Sequence, residues 1–178
     1  MSNVRYISRG LIDGALSVLG VVLGAAIGGD VKIIIAAGLG GGIANSLSNI
    51  FGALTAERAA VMVDLAKTEE HLVGSDVSLK ETKIYERLKK KIFTGGFLDG
   101  VFTFIGSIVP ILPFFFAPAT IPLQTAVYLS IAVTLLMLFL LGIYLGKLSK
   151  ENIIISGAKM AFFGLITAIV ASSLEFFF

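Results

Sequence analysis

The sequence predicts an all-α integral membrane protein with five transmembrane helices and a cytoplasmic helical hairpin between helices 2 and 3. Three observations lead there. Of 178 residues, 56% are hydrophobic and only 15% charged, with a mean hydropathy of +0.95, whereas soluble domains carry about 25% charged residues. The apolar residues gather into five stretches near the roughly 20 residues that a helix needs to cross a bilayer core. Lys and Arg sort almost entirely to one side of those stretches, as the positive-inside rule requires. A soluble fold would lack the charge to cover its surface, and such apolar runs cannot stay solvated as disorder. A formal charge of +2 gives no basis for nucleic-acid binding. The absence of cysteine excludes disulfides, thiolate metal sites and cysteine nucleophiles.

The expected spans are Leu11–Gly29, Ile33–Ala56, Ile92–Phe116, Leu123–Gly146 and Ile153–Leu174. Arg5 and Arg9 before the first apolar run imitate a signal peptide, but Asp13 within it and four further spans argue for a retained helix. Placing the N-terminus, the span 2–3 connection and the span 4–5 connection in the cytoplasm leaves Lys32 as the one basic residue outside. The C-terminus is then outside. The chain divides into residues 1–56 (spans 1 and 2), 57–91 (a charged cytoplasmic hairpin) and 92–178 (spans 3 to 5). In the hairpin, Gly74-Ser75-Asp76 breaks the helix and Ser78 with Glu81 reads as a capping box that starts the next. At this length the hairpin is too small to be an enzyme domain. Pro110, Pro113, Pro118 and Pro122 all fall at the outer end of span 3 and in the loop after it, so that end should be kinked or irregular.

Gly10-Leu11-Ile12-Asp13-Gly14 through Gly20 recurs as Gly96-Phe97-Leu98-Asp99-Gly100 through Gly106, at a constant offset of 86 residues, with Ser17 paired to Thr103. Both copies run from inside to outside, which makes a parallel repeat of the sort transporters use around their substrate sites. Retention for packing alone is the competing explanation.

A carboxylate in a span costs at least about 2.5 kcal/mol on insertion scales, so it needs a partner, water or a substrate path. Asp13 and Asp99 are the candidates, Asp13 the first choice. Each could instead snorkel to the inner interface or pair with a nearby Arg or Lys. Asn45, Ser48 and Asn49 share one face of span 2. Their oxygens could join Asp13 around a hard or borderline cation, or serve interhelical hydrogen bonding. In the hairpin, Glu57, Asp64, Glu69, Glu70, Glu81 and Glu86, with His71, suit Fe²⁺ or Mn²⁺ if the helices bring them together, and otherwise make a solvated face. Glycines at four-residue spacing (Gly20, Gly24, Gly28; Gly38, Gly42; Gly142, Gly146) allow close helix approach and favour a homodimer. No nucleophile–base pair, phosphate loop or dinucleotide fingerprint is present, so an enzyme is not expected.

These residues together resemble the vacuolar iron transporter family. The resemblance lies in Asp13-Gly14, the small and polar run from Gly42 to Glu57, Gly106 to Pro113, Gly146-Lys147, and Ser156-Gly157-Ala158-Lys159-Met160. It implies a five-helix dimer whose cytoplasmic extension binds Fe²⁺ through glutamates and methionines, and which moves the metal out of the cytosol in exchange for protons. Asp13 matches the family's aspartate in the translocation path. Ser48 falls near the place of a methionine of plant members, and Met62 is the extension's only methionine.

The expectation is therefore proton-coupled export of Fe²⁺ or Mn²⁺ as cargo, with no resident cofactor, across a prokaryotic plasma membrane. The translocation path would be Asp13, Asp99, Asn45, Ser48 and Asn49. Its partners are divalent metal ions, protons, the lipid bilayer and a second copy. A transporter of another small solute using Asp13 and Asp99 as proton carriers, and a membrane scaffold docking a cytosolic partner, are the alternatives.

Overall fold

The computed structural model describes residues 2–71, 83–117 and 119–173. Within them lie five α-helices long and apolar enough to span a membrane, and no strand: α1 (Ser2–Ala26), α2 (Val31–His71), α3 (Lys83–Ile111), α4 (Leu123–Ser149) and α5 (Ile153–Ser173). The protein is a multi-pass membrane protein, as its composition requires. Large apolar side chains such as Ile33, Phe51, Tyr128, Phe163 and Ile169 stand exposed around the bundle. Such a surface is stable only against hydrocarbon.

The helices overrun the apolar stretches at the charged end. α1 begins at Ser2 rather than Leu11, because Arg5 and Arg9 find acidic partners on other helices and the chain stays helical through them. α2 continues past Ala56 to His71, and α3 starts at Lys83, before Ile92. The helical arms of the charged hairpin are thus extensions of spans 2 and 3. The break at Gly74-Ser75-Asp76 and the capping box at Ser78 and Glu81 lie outside the described residues.

At the opposite end the turns follow from local chemistry. Gly29 takes a φ of +74° to reverse the chain between α1 and α2, a conformation open to glycine at no steric cost. Asp30 then caps α2, its Oδ1 accepting from the backbone N–H groups of Lys32 (2.8 Å) and Ile33 (3.4 Å). α3 carries Pro110 in its last turn and passes into a tighter 3-10 turn, Leu112–Phe116, with Pro113 near its start. The expected irregularity at this end takes that form. There the Ser130 hydroxyl on α4 donates to the Pro110 carbonyl at 2.6 Å, satisfying a backbone oxygen that hydrocarbon could not. Asn152 caps α5 in the same way as Asp30 caps α2.

α1 is the central helix. Its Val18 and Val22 are buried with Ile34, Ile111, Phe114, Ala117 and Ala126, while its Leu19 and Leu23 pack on Ala168 and Ala171 of α5. The repeated glycines explain its closeness to α3. A Cβ on Gly10 or Gly14 would overlap the Asp99 or Thr103 carbonyl, and one on Gly106 would overlap the carbonyl of Leu11. The repeat thus sets two backbones in direct contact at the depth of the two aspartates. α4 and α5 close a second hairpin in which Gly142 and Gly146 face Ser156.

Candidate functional site: an aspartate at the α1–α2–α3 crossing

A cluster of polar side chains sits at the crossing. Asp13 on α1 faces α2, where Asn45 and Asn49, one turn apart, both donate their amides to its Oδ2 at 2.8 and 2.7 Å. Asn45 also reaches the Ser17 hydroxyl at 3.2 Å, and Asn49 reaches that of Thr103 at 2.9 Å. Thr103 in turn donates to the Asp99 backbone carbonyl at 2.8 Å. A continuous polar chain therefore joins α1, α2 and α3. Both repeat copies contribute a hydroxyl to it, Ser17 and Thr103. The sequence shows them as a matched pair, but their part in the site emerges only when α2 is laid across both.

Asp13 Oδ1 accepts no hydrogen bond among the described residues, and neither ion pair found there involves Asp13. A cleft of about 360 Å³ leads to it, lined by Arg9, Asp13, Asn49, Gly52, Ala53, Ala56 and Glu57. Glu57 and Ala56 mark its charged end, Asp13 and Asn49 its depth. A larger cleft of about 720 Å³ lies between α2 and α3, among Leu54, Val61, Ile92 and Phe93 with Arg58, Lys89 and Lys90 at its edge. Its lining is mainly apolar and basic, with Glu86, Tyr85 and Thr55 as its other polar side chains.

Asp99, the repeat partner of Asp13, has a different environment. Its side chain is fully buried, and its carboxylate is held by Arg9: Nε lies 3.2 and 3.1 Å from the two oxygens, and Nη2 donates to Oδ2. Expected beside Asp13 in a path, it lies behind Arg9 and does not line the cleft. The two copies also differ just before the repeated motif. The position 86 residues after Arg9 is Gly95, so a basic residue exists in only one copy, and Gly95 instead makes room for the Tyr6 ring.

The remaining expected residues divide. Ser48 is exposed on α2, while the neighbouring Ser46, not among the expected ligands, is buried and donates to the Gly100 carbonyl at 2.7 Å. Glu57 sits at the cleft mouth, paired with Arg5 at 2.9 Å and accepting from the Tyr6 hydroxyl. Asp64 and Glu70 are exposed further along α2, Glu69 is half-buried there, and Glu86 is exposed on α3. Glu81 lies outside the described residues, as does the side chain of His71. Among the described residues no three acidic or imidazole side chains converge to hold a metal.

Comparisons with known proteins agree with this architecture. The chain is 48% identical over 174 residues to an uncharacterized protein of Methanocaldococcus jannaschii, an alignment that covers 98% of this chain and 89% of the relative. The family model described as the VIT family matches residues 53–174, from the base of the α2 extension through α5. With that match over most of its length, the chain belongs to the VIT family, a family of membrane transporters of metal ions.

Proposed function

We propose that the protein exports divalent transition-metal cations, Fe²⁺ or Mn²⁺, from the cytosol in exchange for protons. One observation carries the reading: Asp13, a carboxylate at membrane depth, lies in a cleft with one oxygen unengaged and no basic partner among the described residues. An acid so placed is costly unless a cation or proton neutralises it during its working cycle.

In this reading residues 57–91 face the cytoplasm, where the basic residues concentrate. Glu57, Asp64, Glu69, Glu70, Glu81 and Glu86 give a cation successive carboxylate contacts among the basic residues of that segment. A cation passes the Glu57 mouth and reaches Asp13. Rotating the Asn45 or Asn49 amide turns a carbonyl oxygen toward it, giving the oxygen-rich shell that Mn²⁺ and Fe²⁺ accept. Ser48 contributes at the outer face of α2. Metal and proton compete for the same carboxylate oxygens, which makes Asp13 an exchange group. The protein works as a homodimer: Cβ atoms on Gly20 and Gly24 would meet nothing within 4 Å inside the protomer, a small-residue face suited to a second copy. Its place is a prokaryotic plasma membrane, N-terminus inside and C-terminus outside.

The test is reconstitution into liposomes, following Fe²⁺ and Mn²⁺ together with lumenal pH. Metal uptake coupled to a pH change, lost in Asp13→Asn, is the expected result. Cation movement that persists in that variant, or a pH response driven only by a different solute, overturns the proposal.

A further inference from the structure

Of the two repeated aspartates, Asp99 has a guanidinium and Asp13 has none, though Arg9 stands one helical turn from Asp13 and lines the same cleft. Side chains four apart on a helix are neighbours, and opposite charges at that spacing attract. Something must keep Arg9 off Asp13. The geometry points to Asp99 as that device: a positioning residue that clamps Arg9 against α3 so that the Asp13 carboxylate stays open to a cation. The inference rests on the reading of Asp13 as the cation site.

Three observations support it. The grip is two-pronged, through Nε and Nη2, and so fixes the direction as well as the position of the guanidinium. The Asp99 side chain is fully buried whereas that of Arg9 is 53% exposed. An Asp99 left without Arg9 would therefore be a buried unpaired charge, whereas Arg9 has somewhere else to go. Finally, the Asp13 oxygen that Arg9 would take is not committed to any other donor, since both asparagines share Oδ2. Without the clamp, Arg9 is released toward the other carboxylates of the cleft it lines, Asp13 and Glu57, and at Asp13 an internal cation would occupy the cation site.

The experiment measures Mn²⁺ binding to the full-length protein in detergent by loss of the free-ion electron paramagnetic resonance signal. Folded fraction is scored in parallel by gel filtration and thermal unfolding. Asp99→Asn should bind Mn²⁺ about tenfold more weakly per folded molecule, the low end of what a close charge pair is worth. The double variant Arg9→Gln/Asp99→Asn, which removes the competitor and leaves net charge as in the wild type, should return to within about twofold of it. Arg9→Lys keeps every charge but replaces the fork with a mobile point charge. It should weaken binding with Asp99 intact, and it carries the test if Asp99→Asn does not fold. A purely structural ion pair would lower thermal stability and leave Mn²⁺ affinity unchanged in both variants; that result overturns the inference while Asp13-dependent binding persists. If Asp13→Asn binds Mn²⁺ as well as the wild type, the underlying site assignment fails, and the inference falls with it.

Discussion

Asn49 is the residue on which the site turns, because its one amide nitrogen touches Asp13 and Thr103 and so links all three central helices. Hydrogen bonds between membrane helices are worth about 0.6 kcal/mol on average, too little for Asn49 to be a main support of the fold. With two such bonds lost, Asn49→Ala is therefore expected to lower stability by about 1 kcal/mol, within reach of a reversible unfolding assay. Mn²⁺ binding should suffer far more, falling by about tenfold as an oxygen ligand is lost and Asp13 is released to turn. A variant with normal binding would show that the amide only cements the helices. Gly14 gives the opposite kind of test. Alanine for glycine inside a helix normally stabilises by about 0.5–1 kcal/mol, but a Cβ at Gly14 would sit inside the Thr103 carbonyl. Gly14→Ala should drive α1 and α3 apart and reduce the yield of monodisperse protein, whereas Gly40→Ala, with open space around it, should be tolerated on the same gel-filtration run.

At the scale of elements, α1 has two unlike faces. One is filled by α3 and the core, with Gly10 and Gly14 against carbonyls; the other carries Gly20 and Gly24 with nothing over them in the protomer. Sequence alone shows the same four-residue glycine spacing in both regions and offers no way to separate them. If the open face meets a second copy, replacing Gly24 by Leu should yield monomers in detergent, measured by mass photometry or light scattering, with helix content unchanged. Dimers that survive Gly20→Leu/Gly24→Leu would place the second copy on another surface. The proline-rich end of α3 gives an element-level expectation of its own. Ser130→Ala leaves the Pro110 carbonyl without its 2.6 Å donor and should destabilise the α3–α4 contact by about 1 kcal/mol, seen as a lower midpoint in thermal unfolding.

For the whole molecule, the distribution of charge along the helix axis sets the orientation in the bilayer. The proposed topology puts Lys150 inside and Thr120 outside. Because the protein has no cysteine, single cysteines at these two positions report without background. A membrane-impermeant maleimide added to intact cells should label Thr120→Cys and spare Lys150→Cys. The reverse pattern would invert the direction of transport.

How much of this was legible beforehand follows from the range of the forces involved. The five spans, the all-helical class and the family resemblance could be read directly, because bilayer thickness translates into a run length and every residue of a run contributes to the signal. Helix ends at the charged side could not, since Ser2–Arg9 stays helical through Arg5 with Glu57 and Arg9 with Asp99, partners 52 and 90 residues away. Asp13 and Asn45 with Asn49 are legible as candidates from depth and spacing, but spacing does not show that Ser48, one step around the same helix, is exposed whereas Asn45 and Asn49 are half-buried. A duplicated motif, read along the chain, puts two aspartates at matching depths. Their inequality is a tertiary property: which one meets Arg9 depends on how α1 and α3 are rotated against each other at glycine contacts, and a linear repeat does not record that rotation.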